Sequence, residues 1–416
     1  MIPDGGPRLP WLARPGARSW TCGTPDQVRS GAVLAYHAGL PRYAPTPLTE
    51  VPALAAELGA GRVFVKDESA RLGLPAFKVL GASWAVHQVL AHSPGGEPVA
   101  ADSQAGAAPP AGPSDVVARL RDLAARRPGL IFVTATDGNH GRALARMARL
   151  AGAPARVFVP AVTEPATRAA IASEGAEVVQ VAGSYDEAVA AARQWSRDHH
   201  GAAMVQDTAW PGYEQVPGWI VEGYSTLFAE LDAQLADAAA GPPALVVVPV
   251  GVGSLAQAAV AHYRARGGQD EVMAEGWLRR GQDSAPKQPS SATAVLSVEP
   301  DSAACLLASL RAGRPVSVPT ANTIMAGLNC GTPSSSAWPY LSAGLDAAVA
   351  VTDNAARRAA ADLAAARISS GPSGASSLAG ARAALTGPGS ADRRAAVDVD
   401  SGSVIVLLST EASTTG

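Results

Sequence analysis

From residue 130 onward the chain switches repeatedly between short unbroken apolar runs and longer stretches with apolar positions at helical spacing. The apolar runs fall at 130–134, 155–160 (ARVFVP), 177–181, 202–206, 244–249 (ALVVVP), 295–298, 347–351 and 403–409 (SVIVLLS). Helical patterns occupy 141–150, 163–175, 185–195 and 219–235, and another opens near Ser254. A strand that is apolar at every position is covered on both faces, so this alternation predicts an α/β protein with parallel sheets flanked by helices. A chain of 416 residues can bury more than one core, and two domains are expected.

Three stretches break the pattern. Residues 94–114 and 267–293 lack periodicity and read as surface-loop insertions, and residues 387–400 read as a loose segment. Lys plus Arg number 33 and Asp plus Glu 36, a net charge of −3, which argues against nucleic acid or an anionic membrane surface as partner. No apolar run reaches the roughly 18 residues that cross a bilayer. The first residues carry no basic start followed by an apolar stretch, so a cytoplasmic protein is expected. Cys22, Cys305 and Cys330 make neither a disulfide framework nor a metal motif and are expected to stay reduced.

Four segments carry chemistry. Lys78 follows an apolar Pro75-Ala76-Phe77 stretch, surroundings expected to desolvate its amine and lower its pKa. Gly251-Val252-Gly253-Ser254-Leu255 lies between a buried strand and a helix, where glycines admit an anion and the helix end supplies N–H groups. Thr136-Asp137-Gly138-Asn139-His140-Gly141 stands at the end of a strand, where open α/β sheets place ligands. Read in isolation, Asp137 and Asn139 serve equally well as turn and cap residues, and His140 is expected to be structural. Ser184-Tyr185-Asp186-Glu187 opens a further helix, with Asp186 as either a cap or a second acid/base group. A reactive amine and a distant phosphate cradle together suit a phosphorylated aldehyde held at both ends, which describes pyridoxal phosphate.

Together these segments resemble the fold-type II pyridoxal-phosphate enzymes, and within them the diaminopropionate ammonia-lyase family. The likeness runs from Ala44-Pro45-Thr46-Pro47-Leu48 to Ser409-Thr410-Glu411 and includes 205–213, 298–301, 322–328 and 370–375. It implies a two-domain, tryptophan synthase β-like architecture with the cofactor in the cleft. A large domain would comprise 1–83 and 206–416, and a small one 84–205. In that family the lysine matching Lys78 carries the cofactor, Asn139 bonds its phenolic oxygen, residues 251–255 hold its phosphate, and Ser409 faces its ring nitrogen. The resemblance also implies that Thr136, Asp137 and Gly138 meet the substrate. Asp137 stands where serine and threonine dehydratases usually have Ser, and Leu80 where they have Arg.

The implied reaction is an α,β-elimination in amino-acid catabolism. 2,3-Diaminopropionate would pass through an external aldimine and aminoacrylate to pyruvate and two ammonia, with Lys78 and Asp137 as bases. A homodimer is implied likewise. Alternatives remain at this stage: a serine/threonine dehydratase-like eliminase, a non-catalytic relic, or a dinucleotide binder using residues 251–255. Departures from the family pattern lie at Pro372, at residues 412–416 and in the two insertions.

Overall fold

The computed structural model describes residues 9–23, 27–92, 113–265 and 293–413. Three strands come first: β1 (Trp11–Ala13), β2 (Leu48–Glu50) and β3 (Arg62–Asp67). Four then form a separate sheet: β4 (Ile131–Ala135), β5 (Ala155–Pro160), β6 (Glu177–Val181) and β7 (Ala202–Met204). The last four are β8 (Leu245–Pro249), β9 (Ala294–Pro300), β10 (Ala347–Val351) and β11 (Val404–Ser409). The larger sheet runs β1-β10-β9-β8-β11-β3-β2 and the smaller β6-β5-β4-β7. The small sheet is wholly parallel. In the large sheet the central pairs are parallel, as the α/β reading expects, and β1 and β2 add antiparallel pairs at the two edges.

The unbroken apolar runs have a simple cause. Phe64, Val406, Val246 and Val295 lie in register across four strands. They face one core cluster, which also contains Leu255, Ala256 and Val260 of the helix Ser254–Tyr263. Their neighbours Val65, Leu407, Val247 and Leu296 face a second cluster, against Ala375, Leu378 and Ala379 of the helix Pro372–Leu385. Each strand is thus sandwiched between helices, and every position gains from burial. The first cluster continues into the small sheet through Phe132 and Val157, so one core straddles both sheets.

Several expected boundaries shift. The pattern over 219–235 is two helices, Gln215–Gly223 and Ser225–Asp237, broken at Tyr224. The stretch 387–400, expected to be loose, contains the helix Ser390–Val397. Most of the two expected insertions lies outside the described residues. At their ends, however, Pro113 and Ser114 open the helix Pro113–Ala125, and Thr293 is buried and donates to Pro243 O at 2.8 Å. The expected division at 83/84 falls inside the helix Lys78–Ala91. Among the described residues no helix is long and apolar enough to cross a membrane.

The helix Lys78–Ala91 is seated by a pair of glycines. A Cβ on Gly223 would lie 2.5 Å from Leu80 O and 2.8 Å from the Gly81 Cα, and one on Gly81 would lie 2.6 Å from Ile220 Cγ2. The backbones touch because neither residue has a side chain. Gly223→Ala should therefore lower stability to denaturant by about 1–3 kcal/mol, the cost of overpacking a tight contact. An unchanged unfolding midpoint would show that the two helices are free to part.

Candidate active site

Lys78 is placed by the end of strand β11. Phe77 N donates to Thr410 O at 3.2 Å and Ala412 N to Pro75 O at 2.8 Å, and Ala76 pairs with Glu411. This short ladder fixes the three residues before the lysine, which then begins its helix. The chain holds three lysines. Lys287 lies outside the described residues, and Lys66 is fully buried among polar partners. Lys78 Nζ lies 2.6 Å from Asp207 Oδ2. Burial alone would depress its pKa, as the apolar neighbours led us to expect, but Asp207 outweighs burial and the amine is held above its ordinary range. In this arrangement it is an ammonium.

Asp207 also joins the amine to the glycine loop. Its carboxyl is held down at about 2, because the burial that would raise it is overcome chiefly by Lys78. Its backbone oxygen accepts from Ser254 Oγ at 2.9 Å. Ser254 opens the helix Ser254–Tyr263, behind Gly253 at φ +102°, a left-handed conformation that suits glycine. A Cβ on Gly251 would lie 3.1 Å from both Cys330 Sγ and Gly327 O. The loop is backed by the Ser334 N to Val252 O bond at 2.8 Å, and Val252 and Leu255 are buried. With the Ser254 hydroxyl spent on Asp207, an anion here would meet backbone N–H groups at a helix start.

The third part is the turn after β4. Thr136 Oγ1 accepts from Gly138 N at 2.9 Å and Gly141 N at 3.1 Å, so the Gly138 amide is engaged inside the turn. Asn139 begins the helix Asn139–Ala151, and its Nδ2 donates to Glu411 Oε2 at 2.9 Å. Burial raises the Glu411 carboxyl, whose other oxygen accepts from Ser373 N at 3.2 Å. Ser409 is buried at the end of β11 and donates to Ser370 Oγ at 2.8 Å. His140 is buried with Nε2 2.8 Å from Val205 O, in keeping with a structural role.

The Asp137 carboxyl is pushed up to about 7, first by burial and then by the negative charge of Asp207, against the pull of Lys78. Asp186 also raises it from an exposed position in the first turn of the helix Tyr185–Asp198. The cap of that helix is Ser184, in a reciprocal box with Glu187. Bonds and charge thus tie Lys78 and the Ser254 loop to Asp207, Asn139 to Glu411 two residues beyond Ser409, and Asp137 electrostatically to Asp207, Lys78 and Asp186.

Sequence reasoning passed over three residues. Asp207 and Glu411 follow strands β7 and β11, and the strand-end rule that drew attention to Asp137 would have found both. Tyr185 accepts from Gln206 Nε2 at 2.8 Å and donates to Asp207 Oδ1 at 3.5 Å, contacts no local pattern announces.

These residues fit pyridoxal phosphate. The loop approaches its neighbours too closely for side chains at Gly251 and Gly253, and it opens a helix as a phosphate cradle must. A single lysine of the described residues stands beside it, one carboxylate away. The family model described as "pyridoxal-phosphate dependent enzyme" matches residues 114–408, and the chain belongs to that family.

The likeness narrows further. A diaminopropionate ammonia-lyase of Salmonella typhimurium is 35% identical over 312 residues, 74% of this chain and 69% of the relative. The Escherichia coli diaminopropionate ammonia-lyase solved with D-serine superposes with a TM-score of 0.79 at 28% identity, covering 97% of this chain and 94% of that one. The same enzyme in complex with an aminoacrylate–pyridoxal phosphate azomethine intermediate gives a TM-score of 0.75 at 27% identity, with the same coverage. Within the pyridoxal-phosphate enzymes this chain is a member of the diaminopropionate ammonia-lyase family.

Asp207 governs the protonation of Lys78, so Asp207→Asn should shift the pH midpoint for imine formation with added pyridoxal phosphate down by about 1–3 units. Stopped-flow absorbance of the cofactor-free protein measures it. An unshifted midpoint would remove Asp207 from control of the amine.

Proposed function

We propose that this protein eliminates ammonia from 2,3-diaminopropionate and yields pyruvate and a second ammonia. The observation that carries the reading is the charge of the cleft. Asp137 and Asp207 face a single cation, Lys78, so an ionised Asp137 leaves one negative charge in excess. The side-chain ammonium of diaminopropionate answers that charge, whereas the hydroxyl of serine or threonine does not.

Lys78, Asn139, Ser409 and residues 251–255 would hold pyridoxal phosphate. When bound, the cofactor withdraws electrons from the substrate's α-carbon, so that the α-hydrogen becomes acidic and the β-amino group can depart. Lys78 Nζ and the Asp137 carboxylate are two proton acceptors, and the one that acts is set by the face that carries the α-hydrogen. A pair of this kind admits both the D and the L isomer. Asp207 stabilises the ammonium form of Lys78, which gives a proton taken there a place to rest. Asp137, titrating near neutrality, can return a proton to the departing amino group. Thr136 shapes the turn that aims Asp137. The released 2-aminoacrylate takes up water and becomes pyruvate and ammonia.

Three further readings belong to this proposal. The chain divides into a large unit, 1–83 with 206–416, and a small unit, 84–205, a division supported by the two separate sheets. The protein works in the cytoplasm, a reading supported by three free cysteines. It assembles as a homodimer, as the family resemblance implies.

Pyruvate release from a panel of amino acids tests the substrate. Diaminopropionate should exceed serine and threonine in kcat/KM by about 100-fold. Comparable rates on serine would make the protein a dehydratase.

Asp137→Asn should keep the visible absorbance of bound cofactor and lose about 10²–10⁴-fold in kcat/KM on at least one isomer. The base form of Asp137 is the deprotonated one, so wild-type kcat/KM on that isomer should rise with pH through about 7. The variant should lack that rise. Unchanged turnover of both isomers would exclude Asp137 from proton transfer.

A further inference from the structure

A cavity of ≈290 Å³ lies against the lysine helix at Val79. Its apolar floor is formed by Leu72, Val79 and Met147. Its rim carries Arg42, Arg146 and Arg149 and no acidic residue. Arg146 and Arg149 come from the later half of the helix Asn139–Ala151, away from the Asn139 end that enters the active site. Arg42 and Leu72 line the opposite wall with φ of +65° and +51°, conformations that side chains rarely hold without a local constraint.

The charge around this cavity is unbalanced. Glu174 is buried and takes Arg146 in a two-pronged bond at 2.6 and 2.7 Å, Arg149 at 2.8 Å and Arg142 at 3.4 Å. One carboxylate thus serves three guanidinium groups. The bond to Arg146 holds its carboxyl below the ordinary range, so it stays ionised and still falls two charges short. Anchoring the helix to residue 174 requires one two-pronged arginine, and Arg149 and Arg142 are surplus to it. Arg142 lies outside the lining, so the cavity itself sets Arg42, Arg146 and Arg149 against one carboxylate, an excess of two positive charges.

We infer that this cavity binds a small organic dianion, with a phosphate or two carboxylates on the arginine rim and its body on the apolar floor. Planar guanidinium groups suit either head group, and the volume suits a metabolite rather than a bare ion. The site reports to the active centre through one peptide bond. Val79 in its floor adjoins Lys78, and Leu72 in its wall begins the segment that leads to the lysine. A ligand that draws the two walls together changes the setting of Lys78 without touching the substrate, which makes the site an effector site.

Calorimetric titration of the holoenzyme with AMP and with succinate tests this and separates a phosphate from a dicarboxylate ligand. Heat is read besides turnover, so the binding result does not depend on the proposed substrate. At least one of the two should bind saturably, one per chain. Arg42→Ala with Arg149→Ala should weaken that binding by about tenfold or more while leaving KM for diaminopropionate unchanged. Arg42→Ala alone, at an exposed position, should weaken it in the same direction if the double variant does not fold. The ligand should alter kcat without competing with substrate. The inference is overturned if neither anion binds saturably, if the variants bind as well as the wild type, or if binding competes with diaminopropionate.

Discussion

One carboxylate holds the cleft together. Asp207 follows a strand of the small sheet, and its side chain pairs with Lys78 while its backbone oxygen holds Ser254. Lys78 in turn is set by the end of β11, and Ser254 by the turn after β8, both in the large sheet. Two sheets and three strand ends therefore meet at a single residue. Such a pair is not there for stability, since taking both charges out of water costs about as much as their attraction returns. What it provides is position: an amine and an anion cradle brought together from residues 129 apart and more along the chain.

A second buried network stiffens the approach to the lysine. Lys66 and Arg71 are fully buried against Glu68 and Glu230, two cations with two anions. Arg71 grips Glu68 at 2.7 Å and Glu230 at 2.6 Å, and Thr46 donates to Glu68 at 2.6 Å. The partners keep the Glu230 carboxyl below its ordinary range although burial pushes the other way. Breaking one member would strand a charge in the core, so the whole set moves together or not at all. It lies where β3 gives way to the segment that carries Lys78. The turn of Leu72 and Gly73 thus starts from fixed ground, and the lysine inherits that rigidity.

What the sequence disclosed follows from which interactions are local. Strands β8 and β11 were legible because each residue is buried on one face or the other, and burial leaves its mark at every position. Lys78, the glycine loop and the Asp137 turn were legible because each lies at a strand-to-helix junction of distinctive composition. Edge strands β1 and β2 were not, being three residues long and half-buried. The break at Tyr224 was hidden because apolar spacing continues through it, and it becomes visible only once Gly223 must lie against Leu80 O. The direction of the Lys78 pKa was read backwards for the same reason. Its apolar neighbours in sequence depress the amine, and the residue that reverses the sign lies on another sheet.

The two strand-end carboxyls show what this arrangement gains. Burial pushes the carboxyls of both Asp137 and Asp207 up. Lys78 bonds only Asp207, which therefore stays ionised at about 2, while Asp137 is pushed up to about 7 by its burial first and then by that fixed negative charge. One cation has split two like groups into a permanent anion and a group that titrates near neutrality. The permanent anion steadies the amine, and the other can take or give a proton at small cost. The proposed elimination, with a proton accepted from the α-carbon and one supplied to the departing amine, is served by unlike groups of this sort. Here the unlikeness comes from which carboxylate the lysine reaches, a matter of backbone placement rather than of residue type.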